Sequence, residues 1–178
     1  MLHNADVLDP AVLTVAERLQ AAGFATAAFA DDKRRLQAEK IASRLKDMVE
    51  LIVPNDPVSV SAEKPLVATY HDPCHASRGQ GLSKEPREIL KNAEGIEYRE
   101  MHEADWCCGG AGSYALSHYD LSQKVLDRKM ENLKKTDADL LVTSCPACMI
   151  QISDMLSQAG ADIAVRHPVE LLAETLDA

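Results

Sequence analysis

Residues 139–160 read DLLVTSCPACMIQISDMLSQAG, and this stretch decides the fold. Leu140–Thr143 is a short apolar run of strand type, and Pro146 opens a helical stretch that extends to Gln158. Gly160 stands where that helix should stop, and Ile163–Val165 then reads as the next strand. Between strand and helix lies Ser144-Cys145-Pro146-Ala147-Cys148. The same order recurs upstream. Leu66–Tyr70 and Ile96–Met101 are further strand candidates, with helical stretches at Glu85–Asn92 and Ser113–Lys135, and a last helix starts after His167-Pro168. Strands alternating with helices predict an α/β, three-layer domain, with a mostly parallel sheet of about four strands covered on both faces.

Residues 1–64 carry no cysteine and read as a helical N-terminal segment and linker. Asp9-Pro10 has the form of a cap and first turn, with Gly23 as the stop. A second helix is expected from about Asp32 to Leu51, with Leu36, Ile41, Leu45, Met48 and Ile52 as its apolar positions and Pro54 at its end. Val53–Lys64 reads as the linker, which divides the chain into residues 1–64 and 65–178. The charges of Asp31–Glu50 form a solvated helix face, with contact to a partner protein as the alternative.

With 28 acidic against 19 basic residues among 178, the net charge is −9, and no basic excess exists to neutralise nucleic-acid phosphates. No apolar run reaches the roughly 18 residues of a membrane span. The N-terminus lacks a basic stretch followed by an apolar core, so a cytoplasmic protein is expected. Five cysteines, an odd number, argue against a closed disulfide framework.

Those cysteines are not scattered. Cys74 follows the first strand, Cys107-Cys108 the second, and Cys145 and Cys148 the third. Loops after parallel strands emerge at one edge of the sheet, so all five thiols are expected together there. Converging thiolates repel one another unless a soft cation holds them, which points to zinc, copper(I) or an iron–sulfur cluster. Adjacent side chains such as Cys107 and Cys108 diverge, which suits a cluster of several irons better than one tetrahedral ion. Gly109, Gly110 and Gly112 let the backbone approach closely enough for amides to reach cluster sulfurs. Zinc, or a metal-free redox site with Cys145-Pro146-Ala147-Cys148 as a thioredoxin-like pair, stays open on these residues alone.

Around them, His71 and His75 are read as hydrogen-bond donors behind the ligands, or as the completion of a zinc site. Asp72-Pro73 shapes the turn, His167 packs at a helix start, and His3, His102 and His118 lie at the surface. Trp106 is expected to shield the site. Gly110-x-Gly112-x-x-Ala115 does not follow a strand directly, which argues against a dinucleotide site. No Ser–His–Asp or paired-carboxylate arrangement stands out.

Cys74, 32 residues, Cys107-Cys108-Gly109, 35 residues and Cys145-x-x-Cys148 together resemble the cysteine-rich CCG domain family. That family includes the cysteine-rich subunit of heterodisulfide reductase and the iron–sulfur subunits of glycolate oxidase and D-lactate dehydrogenase systems. The likeness runs from Pro65 to the C-terminus, including Arg166-His167-Pro168-Val169-Glu170-Leu171-Leu172, whose pattern is similar to the glycolate and lactate branch. It implies a 4Fe–4S cluster, noncubane in heterodisulfide reductase, on Cys74, Cys107, Cys108, Cys145 and Cys148. Some copies in the family hold zinc or a conventional cluster. Many members carry two such domains and ferredoxin-type cysteine runs. One domain without such a run therefore implies a fragment, a domain or a small subunit. The resulting expectation is a non-catalytic electron-transfer module of a flavin-linked 2-hydroxy-acid dehydrogenase. Its partners would be an FAD flavoprotein and a ferredoxin-type iron–sulfur subunit. Disulfide reduction at the cluster, or a structural zinc module for assembly, are the alternatives.

Overall fold

The structure is a computed structural model that describes residues 32–52, 58–60, 64–110 and 113–176. The helix expected between Asp9 and Gly23 lies outside the described residues. Four strands form one sheet: β1 (Leu66–Tyr70), β2 (Ile96–Tyr98), β3 (Leu140–Val142) and β4 (Ala164–Arg166). Their order is β2-β1-β3-β4 and every pairing is parallel, with Ala68 opposite Tyr98 on one side and Leu140 on the other.

Alternation along β1 and β3 sends side chains to two cores. Ala68, Tyr70, Leu140 and Val142 pack with Ile89, Leu90 and Leu171, which belong to helices α4 (Glu85–Asn92) and α8 (Pro168–Leu176). Val67 and Leu141 point the other way, onto Leu126, Met130 and Leu133 of α6 (Tyr119–Lys134) and Ile152 and Leu156 of α7 (Pro146–Gln158). Helices thus cover both faces, and the α/β three-layer expectation holds. Val49, Ile52 and Val58 join the first core, and Ser59 bridges to Glu94, so residues before Lys64 pack on the sheet domain.

The expected single helix from Asp32 to Leu51 is instead two, α1 (Asp32–Ala42) and α2 (Met48–Leu51). Asp47 restarts the chain as a cap. Its carboxylate accepts from Val49 N at 3.1 Å, while Glu50 reaches back to accept from Asp47 N at 2.9 Å. Leu36, Ile41 and Met48 are consequently exposed, and Ala42, Val49 and Ile52 do the packing. The stretch Ser113–Lys135 likewise divides at His118, into α5 (Tyr114–Ser117) and α6. No helix among the described residues is long and apolar enough to cross a membrane.

The chain leaves β1 toward β2, then returns past β1 to β3. The reversal falls between β1 and β3, and in open α/β sheets the crevice beyond the strand ends at that point is where ligands bind.

Candidate functional site

Three loops close over that crevice. After β1, His71 N donates to Val142 O at 2.9 Å and Asp72 N to Ala104 O at 2.9 Å; Pro73 then caps α3 (Cys74–Ser77), whose first residue is Cys74. The buried Tyr70 hydroxyl lies 3.1 Å from Ser144 Oγ, tying the ends of β1 and β3 together. After β3, Cys145 caps α7, with Pro146 in the first turn, so Cys148 falls on the inward face of that turn.

Between β2 and α6 runs the Cys-Cys-Gly loop. Gly109 has φ +79°, and a Cβ there would lie 2.5 Å from the Ser122 carbonyl, so both the backbone shape and the close approach require glycine. Ser122 Oγ donates to Gly109 O at 2.9 Å and accepts from Gln151 Nε2 at 2.9 Å, pinning the loop to α6 and α7. Gly109 N donates to Cys107 Sγ at 3.3 Å, and a Cβ on Gly110 would stand 3.4 Å from Cys108 Sγ.

All five cysteines line a single cleft of about 210 Å³, with His71, Asp72, Arg78, Asp105, Gly110 and Ala147. None is in a disulfide. Cys108 and Cys148 are buried, Cys145 is half-buried, and Cys74 and Cys107 are exposed, so the adjacent pair differs in burial, yet its two thiols share a hydrogen bond rather than diverging. Cys108 Sγ and Cys148 Sγ are 3.3 Å apart, and the His71 imidazole nitrogen lies with them inside a 4.8 Å group. His71 Nδ1 is 3.2 Å from Ala104 O, which leaves Nε2 buried and without a partner. An orphaned buried nitrogen beside converging sulfurs is what a soft metal or cluster would satisfy, and the residues present fit such a group.

The thiols also perturb one another. Hydrogen bonds to Cys107 and Cys148 hold Cys108 well below the usual thiol range. Cys148 is pushed up by its bonds to Cys108 and Cys145 and by burial, and Cys107 by its bond to Cys108 and by burial. Cys145 is pushed down to about 4, first by its hydrogen bond with Cys148 and then by His75, whose own pKa rises through the same contact. The metal-free protein should therefore carry a Cys145 thiolate at every pH above about 4. Iodoacetamide labelling of Cys145, followed by peptide mass spectrometry, should be flat through neutral pH, and His75→Ala should move its midpoint upward. A midpoint at the free-thiol value of about 8.5 would contradict this.

Trp106 does not line the cleft. Its indole donates to Val125 O at 3.1 Å and lies under Arg128, so it fastens the loop to α6 rather than shielding the thiols. His167 N donates to Glu170 Oε2 at 2.6 Å and its Nδ1 accepts from Val169 N at 3.2 Å, a helix-start role as expected. His102 and His118 are exposed, also as expected. Sequence reading missed Arg87, Ser122, Lys129 and Gln151. Lys129 alone left a trace, since it shares the inward spacing of Leu126, Met130 and Leu133 on α6.

A parallel α/β domain with five cysteines at its switch point defines a class of cysteine-rich module. Comparison with known proteins gives a family match for part of the chain: residues 68–153 match the model of the CCG cysteine-rich domain. The chain is 38% identical over 142 residues to the probable glycolate oxidase iron-sulfur subunit of Bacillus subtilis (strain 168), covering 78% of this chain and 32% of the relative. It is 39% identical over 105 residues to a subunit of the CoM/CoB fumarate reductase of Methanothermobacter marburgensis, covering 58% and 22%. Lactate utilization protein A of Bacillus thuringiensis (strain Al Hakam) is 31% identical over 143 residues, covering 80% and 60%. The chain thus spans less than two thirds of each of these relatives.

Proposed function

We propose that the chain is an iron–sulfur electron-transfer module of a larger oxidoreductase, and that Cys74, Cys107, Cys108, Cys145 and Cys148 hold the cluster. The observation that carries this reading is the single cleft lined by all five sulfurs, one more than a tetrahedral ion takes. A 4Fe–4S cluster, noncubane in type, suits the adjacent Cys107 and Cys108 with their unequal burial. The relative named as an iron-sulfur subunit of glycolate oxidase and the lactate utilization protein support a 2-hydroxy acid, glycolate or lactate, as the substrate of the whole assembly. An FAD flavoprotein would then be the electron donor, a ferredoxin-type subunit a further partner, and the cytoplasm the compartment.

Such a cluster supplies a one-electron store. The chain's own residues do the rest. Gly109 and Gly110 bring backbone amides against Cys107 and Cys108, Ser122 and Gln151 fix that loop, and His71 Nε2 supplies a donor or acceptor on the buried side.

A zinc module is the second reading, favoured by the mixed group of His71, Cys108 and Cys148 within 4.8 Å. Iron, sulfide and zinc per chain, measured on protein prepared without oxygen and with absorption and EPR spectra of the same sample, separate the two. The expected result is about four irons and four sulfides with a reducible visible band. One zinc and no iron would overturn electron transfer.

A further inference from the structure

Lys129 is fully buried on α6. Its Nζ donates to Glu103 O at 2.6 Å and to Ala104 O at 2.9 Å. No carboxylate among the described residues forms an ion pair with it: Asp72 is held by Arg87, and Glu103 by Arg128 and Asn132. A buried ammonium with only carbonyl acceptors is a costly element, and burial pushes its pKa down to about 8. The ammonium and the His71 ring meet on one carbonyl, that of Ala104, so the charge stands one carbonyl away from an imidazole grouped with Cys108 and Cys148.

The carbonyl it holds is also the anchor of the site histidine. Ala104 O accepts from Lys129 Nζ and from Asp72 N and stands 3.2 Å from His71 Nδ1, and the opposite nitrogen of that ring is the orphan beside Cys108 and Cys148. One side chain thus links a buried positive charge to the orientation of the imidazole.

We propose that Lys129 is the positioning and charge-compensating residue of the cysteine site: its ammonium favours the reduced, more negative state, and through the Ala104 carbonyl it fixes His71 with Nε2 on the sulfurs. This rests on the iron–sulfur reading above. Reduction adds one electron at the site and breaks no bond, so the uncompensated charge is what a nearby cation offsets.

The test is an anaerobic dithionite titration of the iron-loaded chain, comparing wild type with Lys129→Met and Lys129→Gln. Glutamine keeps an amide that donates to the two carbonyls but carries no charge. Lys129→Gln is expected to hold wild-type iron and to be harder to reduce, by at least about tenfold in the reduction equilibrium, which is 59 mV for one electron, and Lys129→Met, which also frees the Ala104 carbonyl, to load less iron. Equal potentials at full iron would overturn the proposal. So would a glutamine variant that loses iron while wild type keeps it, because the hydrogen bonds alone would then not hold the site. Wild-type protein without iron would instead bring down the iron–sulfur reading itself.

Discussion

Replacing Cys108 by serine is expected to strip the proposed cluster from the site, with affinity falling at least as far as the roughly 10–100-fold that loss of a ligand's outer partner costs, and the EPR signature lost or altered. Cys108 is buried, lies 3.3 Å from Cys148 Sγ, and is held below the usual thiol range by hydrogen bonds to Cys107 and Cys148, which favours its thiolate form. Serine substitutes a hard, protonated hydroxyl for a soft anion and leaves the fold intact, since the side chains are close in size. Iron per chain and EPR report the loss, and circular dichroism checks the fold. Cys107→Ser is the informative companion. A five-cysteine cluster should lose iron or change its spectrum there too, whereas a zinc site on His71, Cys108 and Cys148 should be untouched. Unchanged iron and spectrum in Cys108→Ser would remove that residue from the ligand set.

The second large effect is expected at Arg87. Its guanidinium grips Asp72 through two bonds of 2.8 and 2.7 Å, and it also donates to Ser83 O at 2.6 Å and to Glu100 at 2.8 and 2.7 Å. The Asp72 side chain is 6% exposed. Arg87→Met would leave that carboxylate buried with its ion-pair partner gone, at a cost of about 3–5 kcal/mol. Urea unfolding of the metal-free chain should show the midpoint falling with little change in slope. A loss under about 1 kcal/mol, the range of exposed pairs, would mean that water reaches Asp72. Because Asp72 lies two residues before Cys74, the variant should also load less metal.

The sheet and the cysteine edge were legible because their signals are local. Leu66–Tyr70 and Leu140–Val142 are apolar runs short enough to be strands, and each is followed within a few residues by a cysteine. Gly109 and Gly110 announced a tight loop beside the pair, and the structure gives that loop its left-handed residue and its contact with Cys108. What stayed hidden depends on partners far along the chain. Arg87 meets Asp72 across 15 residues, and Lys129 meets Ala104 across 25. Nothing beside either residue in sequence marks its partner. The helix boundaries failed for a different reason. Periodicity ran through Ser43–Asp47 and through His118, where cap chemistry at Asp47 and an irregular backbone at His118 (φ −135°, ψ 50°) interrupt it.

The hydrogen bond between Tyr70 and Ser144 spans 74 residues and sits at the seam where β1 meets β3. Until that seam closes, Cys74 and the Cys145–Cys148 pair belong to separate stretches of chain, and no two-loop fragment contains the full set of sulfurs. On the proposed cluster reading, the five sulfurs stand together only once the two central strands have docked. A cluster seated there, as proposed, would clasp the junction of the two central strands, so losing it should loosen the middle of the sheet before the outer strands.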